Sequence, residues 1–305
     1  MSHAKNVVPN KELNARIFYT YVCLFFTWIV LFAMLSATGA GLGPIIFFEF
    51  LIIFLQYWYS DRITMFGLGA TQVEASEAPE LHAMVDKLCI LADMPKPKVA
   101  IADQDYLNAC ASGRNSNNSV IIVTRGLQST ITDEELYAVL AHEVAHIANR
   151  DVAIMTFAST VLVLAGLLAQ ASFWNSISIR RGSDKNSSKG TSFLFAIFIY
   201  IVSFLLIKAL SRCRELAADR TSAFLIQDAK PLASALVKID GALSSTPVKD
   251  LRSAEAFSSL MVSPALGHGK RDSRSNWFST HPTLEERLIQ LDEISEILKS
   301  NRRVS

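Results

Sequence analysis

Four apolar runs alternate with stretches of mixed polarity along this chain. Ile17 to Ala37 carries no charge and is about 20 residues long, enough for a helix to cross a bilayer. Pro44 to Tyr59 is a shorter run that contains Glu49 and Gln56. Val152 to Ile179 is uncharged, and its part up to Phe173 has spanning length. Phe193 to Ile207 is about 15 residues, short for a straight crossing unless Thr191 and Ser192 lie at the interface and Lys208 snorkels. Glu49 reads either as a functional intramembrane acid or as a residue near water in a short span; the neighbouring polar Gln56 favours the second.

Between the second and third runs the pattern changes to that of a small soluble fold. Pro79 to Met94 predicts a helix with Leu81, Met84, Val85, Leu88 and Leu91 on one side, broken by Asp93-Met94-Pro95-Lys96-Pro97. Lys98 to Ala102 and Ser119 to Thr124 are rich in Val and Ile and predict strands. Tyr106 to Ser112 is expected to pair with the latter across the polar turn Arg114 to Asn118. Thr132 with Glu135 has capping-box spacing, and Leu136, Val139, Leu140 and Val144 then recur at helical spacing. After the fourth run, helix is expected to about Gln227 and again over Lys230 to Leu243. Residues 244 to 280 are rich in Ser, Gly and charge, and Gly267 to Ser275 is expected to be a loop able to cover a cleft. Thr283 with Glu286 starts an amphipathic last helix carrying Leu284, Leu288, Leu291, Ile294 and Ile297.

Composition supports the membrane reading. Hydrophobic residues make up 50% of the chain and mean hydropathy is +0.29. A net charge of +1 leaves no basic field for nucleic acid. The four cysteines (Cys23, Cys89, Cys110 and Cys213) have no paired or zinc-ribbon spacing, which fits a reducing compartment and argues against cysteine-bound zinc. The first run is too long for a signal-peptide core, and a second follows it, so an uncleaved anchor is expected. Lys5, Lys11 and Arg16 place the N-terminus in the cytoplasm, and two crossings return the chain there at Asp61. The loop with Arg180, Arg181, Lys185 and Lys189 conflicts with this scheme. The positive-inside tendency would keep it in the cytoplasm, so the last two runs either cross fully or only dip.

The candidate chemistry is concentrated in His142-Glu143-Val144-Ala145-His146. On a helix the two imidazoles share one face, where both can bind one Zn²⁺ while Glu143 reaches a water. A catalytic zinc needs a third protein ligand and one open position. Glu215 is the best candidate, with Asp219 four residues on to accept the spare ring N–H of a ligand histidine. Read alone, Glu215 and Asp219 are ordinary helix charges; the upstream histidine pair tips the reading. Because the third and fourth runs lie between the histidines and Glu215, the intervening chain must return to the side it left.

His142-Glu143-x-x-His146 with Glu215-x-x-Ala218-Asp219 resembles the HtpX group of membrane zinc endopeptidases, relatives of type-I CaaX prenyl proteases. Ile147 to Asp151, Ser211-Arg212-x-Arg214-Glu215 and Thr280-His281-Pro282 with Arg287 resemble further parts of that family. Cys110 departs from it, standing after Asn108-Ala109 where an aromatic residue is expected. The resemblance implies a mainly α integral membrane protein with a small β-sheet, a zincin-like core and about four membrane helices. It divides the chain into a membrane hairpin (1–62), a cytoplasmic part with the sheet and metal helix (63–151), a second hairpin (152–210) and a C-terminal helical part (211–305). It implies one Zn²⁺ held by His142, His146 and Glu215, with Glu143 as catalytic base and Asp219 behind the ligands. Asn108 beside the cleft, and His281 and Arg287 near the oxyanion, are its expected substrate contacts; Asn108 also reads as a strand-end residue and His281 as a structural one. The expected activity is proteolysis of damaged or unfolded membrane proteins at the cytoplasmic face of a bacterial inner membrane, in stress-related quality control and alongside its partners. A CaaX-type processing protease and a non-catalytic zinc-binding scaffold are the alternatives; a structural zinc site has no use for Glu143, which counts against the scaffold.

Overall fold

A computed structural model of the chain describes residues 10–37, 42–179, 188–245 and 281–304. The apolar runs become helices α1 (Lys11–Ala37), α2 (Leu42–Trp58), α7 (Asp151–Ile179) and α8 (Ser188–Ile226). Among the described residues, three helices are long and apolar enough to cross a membrane, within Lys11–Met34, Asp151–Gln170 and Phe193–Ile226. The expected fourth, α2, has 17 residues, about 25 Å of helix against a core of about 30 Å. It is followed directly by α3 (Ser60–Leu68). Both ends of the first hairpin border the soluble part: Arg16 shares a cleft with Glu286 and Glu293, and Tyr57 donates to the Arg114 carbonyl at 2.6 Å. The hairpin therefore leaves and returns to one side.

The fourth run differs most from expectation. It does not end near Ile207: α8 is a single helix of 39 residues, about 58 Å long. It runs through the boundary expected at 210/211, so a spanning segment and Glu215 share one rod. Leu24 and Leu31 of α1, Val161, Ala165 and Leu168 of α7, and Ala196 and Ile199 of α8 form one apolar cluster. Trp28 donates to Thr160 within it at 3.3 Å. The outward faces are apolar too, with Phe18, Phe25, Phe26 and Phe198 exposed, as lipid requires. Residues 180–187 and 246–280, which include the basic loop between the last two runs and the expected cleft-covering loop, lie outside the described residues, as does the side chain of Glu49.

The soluble part has a four-stranded sheet in the order β1-β2-β4-β3. Strand β2 (Lys98–Ala102) is parallel to β4 (Asn118–Thr124), with Ala100 opposite Ile122. Strand β3 (Ala109–Asn115) is antiparallel to β4, with Cys110 opposite Ile122. Its turn is tighter than expected, occupying only residues 116–117. Gly113, at the adjoining register shift, has φ +139; a Cβ there would lie 2.3 Å from the Asn118 carbonyl oxygen, so only glycine fits. Strand β1 (Ala70–Gln72) was not expected; it pairs antiparallel with β2 and is too short to show an alternation. Helix α4 (Pro79–Ala92) ends at Asp93 in the left-handed conformation. Helix α5 (Arg125–Thr130) leads into α6 (Asp133–Ala148), whose apolar face packs on Val120 to Val123 and on α9 (Lys230–Ser245). The last helix, α10 (Leu284–Val304), starts at the expected cap: the Thr283 N–H donates to Glu286 Oε2 at 2.9 Å.

Both bonds of the α6 capping box are present, Glu135 N to Thr132 Oγ1 at 3.3 Å and Thr132 N to Glu135 Oε2 at 2.9 Å. Glu135 also accepts from Ser234 (2.6 Å) and Lys238 (2.8 Å), tying α9 to the start of α6. Burial opposes ionisation of Glu135, but hydrogen bonds from Lys238, Ser234 and the Thr132 N–H outweigh it and bring its pKa from 4.5 down to about 2. A depressed carboxyl stabilises the fold above its unfolded pKa. That stability is lost as pH falls from 4.5 through about 2. Allowing for screening at the partly exposed Lys238, Glu135→Gln is expected to cost about 2 kcal/mol at neutral pH. Thermal unfolding in detergent checks this: the midpoint gap between wild type and variant closes as pH falls through that window.

Candidate metal centre

Helix α6 carries His142, Glu143 and His146; α8 carries Glu215 and Asp219. The two helices pack so that ligand atoms of His142, His146 and Glu215 all lie within 4.8 Å of one another. The three contacts are His142 Nε2 to His146 Nε2 at 3.0 Å, His142 Nε2 to Glu215 Oε2 at 3.6 Å and His146 Nε2 to Glu215 Oε1 at 3.4 Å. A tetrahedron with ligands about 2.0–2.1 Å from zinc has edges of about 3.3 Å, and the observed edges bracket that value.

The protonation of the rings supports the same reading. His142 Nδ1 lies 2.9 Å from Asp219 Oδ1, and His146 Nδ1 lies 2.6 Å from Asp151 Oδ2. Each carboxylate places the ring proton on Nδ1. Both Nε2 atoms then present lone pairs, so their approach at 3.0 Å is not a hydrogen bond. Two buried lone pairs and a carboxylate facing one point are a donor set for a cation, and imidazole with carboxylate suits zinc.

Asp151 closes the Ile147 to Asp151 run of the sequence, which gives it no role of its own. It is the first residue of α7, five beyond His146. Arg150, at φ +57, reverses the chain between α6 and α7 and swings Asp151 back over the ring. Each histidine thus has a carboxylate, and each carboxylate has an arginine. Arg287 grips Asp219 through Nε and Nη2 at 2.7 and 2.6 Å. Arg214 pairs with Asp151 and donates to the Asn149 carbonyl at 3.0 Å. Removing either carboxylate charge frees a ring to change tautomer. Asp151→Asn and Asp219→Asn are each expected to weaken zinc binding about 10–100-fold, measured by competition with a chelator.

Glu143 is wholly buried, and neither of its carboxylate oxygens has a hydrogen-bond partner among the described residues. Burial lifts its pKa above the ordinary carboxylate range. A buried carboxylate without partners is expensive to keep in a folded protein. His281 is buried beside the cluster, its Nδ1 3.3 Å from Glu215 Oε2.

Two residues expected at the substrate are engaged by the protein itself. Arg287 is buried with its fork on Asp219 and its Nη1 3.7 Å from Glu215. Asp219 takes up its Nε and Nη2 donors, which holds the guanidinium beside the ligand carboxylate. Asn108 is buried before β3; its side-chain oxygen accepts from the Ala109 N–H at 2.9 Å, and its backbone pairs with Thr124. This is the strand-end arrangement. Cys110 is buried in β3, where burial and the charge of Glu143 push its thiol well above its usual pKa. An apolar recess beside His146 and Glu215 is lined by Ala111 of β3 and by Val152 and Met155 of α7.

Peptidase family M48 matches residues 75–295. The Protease HtpX homolog of Moorella thermoacetica is 41% identical over 292 residues, covering 95% of this chain and 97% of that protein. The Protease HtpX homolog 1 of Streptomyces coelicolor is 41% identical over 288 residues, covering 94% of each. The crystal structure of S. mikatae Ste24p shares the fold at a TM-score of 0.57 and 18% identity, over 93% of this chain and 67% of that one. With the metal helix, the third ligand and the membrane helices in the places just described, the chain belongs to peptidase family M48, as a membrane metallopeptidase of the HtpX type with a His-His-Glu zinc site.

Proposed function

We propose that this metallopeptidase is a zinc-dependent endopeptidase that cleaves unfolded or damaged membrane proteins at the cytoplasmic face of a bacterial inner membrane. The observation that carries the reading is the position of the donor set. Glu215 lies on the same helix as a spanning segment, and Val152 and Met155 of a second membrane helix line the recess beside it. A segment slipping out of the bilayer meets the site at once. The positive N-terminal flank of α1 supports the cytoplasmic placement. A role in stress-related quality control follows from such substrates.

In the proposed mechanism His142, His146 and Glu215 hold the metal. Zinc bound there supplies Lewis acidity, polarising a carbonyl oxygen and lowering the pKa of water. Glu143 takes a proton from the attacking water as its oxygen bonds to the scissile carbonyl carbon. When the C–N bond breaks, Glu143 returns that proton to the amine nitrogen. Asp219 and Asp151 hold the rings with Nε2 toward the metal. Arg287 and Arg214 fix those carboxylates in turn. His281 is placed to donate toward the developing oxyanion, and Asn108 locks the start of the strand along which an extended substrate adds main-chain hydrogen bonds.

The test is selectivity for the unfolded state. The zinc-loaded enzyme in lipid nanodiscs is given one membrane protein in native and heat-unfolded forms, and separately a prenylated CaaX peptide. Cleavage of the unfolded form about tenfold faster than the native one is expected, since burial and folding withhold extended backbone. Equal rates on both forms, or turnover confined to the prenylated peptide, would overturn the proposal.

A further inference from the structure

Strand β3 is the last in the sheet, so no strand of the sheet lies along its outer edge. The Thr124 N–H donates to the Asn108 carbonyl at 3.0 Å, and the register runs on from Ala109 opposite Val123 to Ala111 opposite Ile121. Hydrogen-bonded and non-hydrogen-bonded pairs alternate along an antiparallel ladder. With Asn108 in a bonded pair, Ala109 and Ala111 fall in non-bonded ones, and their main-chain groups point to the outer edge. Asn108 Oδ1 already accepts the N–H of Ala109, which leaves Ala111 as the next edge position for an incoming chain.

Ala111 also lines the recess beside the metal ligands His146 and Glu215, with Val152 and Met155 of α7 as its other apolar walls. Among the described residues, the donor set is most exposed on this side: the His146 side chain is 13% exposed, against 4% for Glu215 and 0% for His142. The recess measures about 20 Å³, room for about one water-sized or methyl-sized group. Met155 packs against the apolar cluster of the membrane helices, which limits its retreat.

We propose that this recess selects a small apolar side chain, alanine above all, at the substrate residue that flanks the scissile bond, with Met155 and Val152 setting the size limit. The inference rests on the endopeptidase reading and adds a sequence preference to it. An extended chain pairing with Ala111 sets one of its residues directly opposite, and opposed side chains share a face of the sheet. The side chain of that residue meets the recess that Ala111 lines, and its peptide group lies beside His146 and Glu215. A methyl group fills the space. Glycine leaves it empty. Valine, leucine and phenylalanine fit only when Met155 or Val152 is pushed out of its packing, which costs about tenfold or more in kcat/KM. Main-chain pairing along β3 is indifferent to side chains, so the recess is where the sequence of a substrate is read.

The full zinc-loaded chain in lipid nanodiscs digests a mixed library of unstructured peptides, and the cut sites are sequenced by mass spectrometry. Alanine is expected to be enriched at one of the two positions flanking the cut, with leucine and phenylalanine there depleted about tenfold relative to it. Met155→Ala and Val152→Ala each enlarge the recess. Each should raise cutting at leucine about tenfold relative to alanine at that position and leave the other flanking position as it was. Wild-type cutting that is indifferent to size at both flanking positions, or that favours leucine or phenylalanine there, overturns the inference without any variant, while the endopeptidase reading stands. An alanine preference that both folded variants keep would assign it to other residues and also overturn the inference. No cutting of any library peptide overturns the endopeptidase reading, and this inference with it.

Discussion

Glu143→Gln is expected to lower kcat about 10³-fold while the protein keeps its zinc. The substitution preserves shape and removes only the capacity to carry a proton. The Nδ1 atoms of the ligand histidines belong to Asp219 and Asp151, not to Glu143. Metal content should therefore stay at one per chain. The folded state should not suffer either. Both carboxylate oxygens are buried and have no hydrogen-bond partner among the described residues, so a neutral amide relieves desolvation, and the unfolding midpoint should hold or rise. Stability unchanged, metal unchanged and turnover lost is a pattern that a structural glutamate does not produce. Wild-type kcat in the zinc-loaded variant would remove Glu143 from the chemistry and revive the scaffold reading.

Glu215→Ala should give the opposite combination, with metal and turnover lost together. Binding of a structural zinc is worth about 10–16 kcal/mol over four ligands, so each contributes about 3 kcal/mol and its loss weakens binding by at least two orders of magnitude. The loss here should be at the upper end. Without the carboxylate, the charge of Arg287, whose Nη1 is now 3.7 Å from it, faces the donor set with one carboxylate fewer to balance it. Zinc retained through dialysis, measured by atomic absorption, should fall from one per chain to near zero. A variant that holds zinc as tightly as wild type would mean that a residue other than Glu215 completes the set.

The parts of the site that could be read from the chain are those whose cause is local. The capping box, the face shared by His142 and His146 and the spacing of Glu215 to Asp219 are each set within a few residues by helix geometry. The family resemblance then joined these pieces across the membrane detour. What could not be read depends on tertiary placement. Asp151 acts on His146 only because Arg150 takes a left-handed conformation that no pattern of apolar residues announces. Arg287 grips Asp219, and a motif does not say which way a guanidinium points. The length of α8 was hidden because a charged stretch after an apolar run looks like a new beginning, whereas here one helix passes from lipid to protein surroundings. Strand β1 has three residues, too few for any periodicity.

That uninterrupted α8 has a mechanical consequence. A flexible joint between membrane anchor and catalytic part would let each settle on its own; a rigid spoke does not. Losing one residue between Ala196 and Leu210, both packed in the apolar cluster, would turn everything downstream by about 100° and draw it in by about 1.5 Å. The metal-binding carboxylate would then swing out of reach of its imidazoles. In this protein, anchorage depth and coordination geometry are a single mechanical variable.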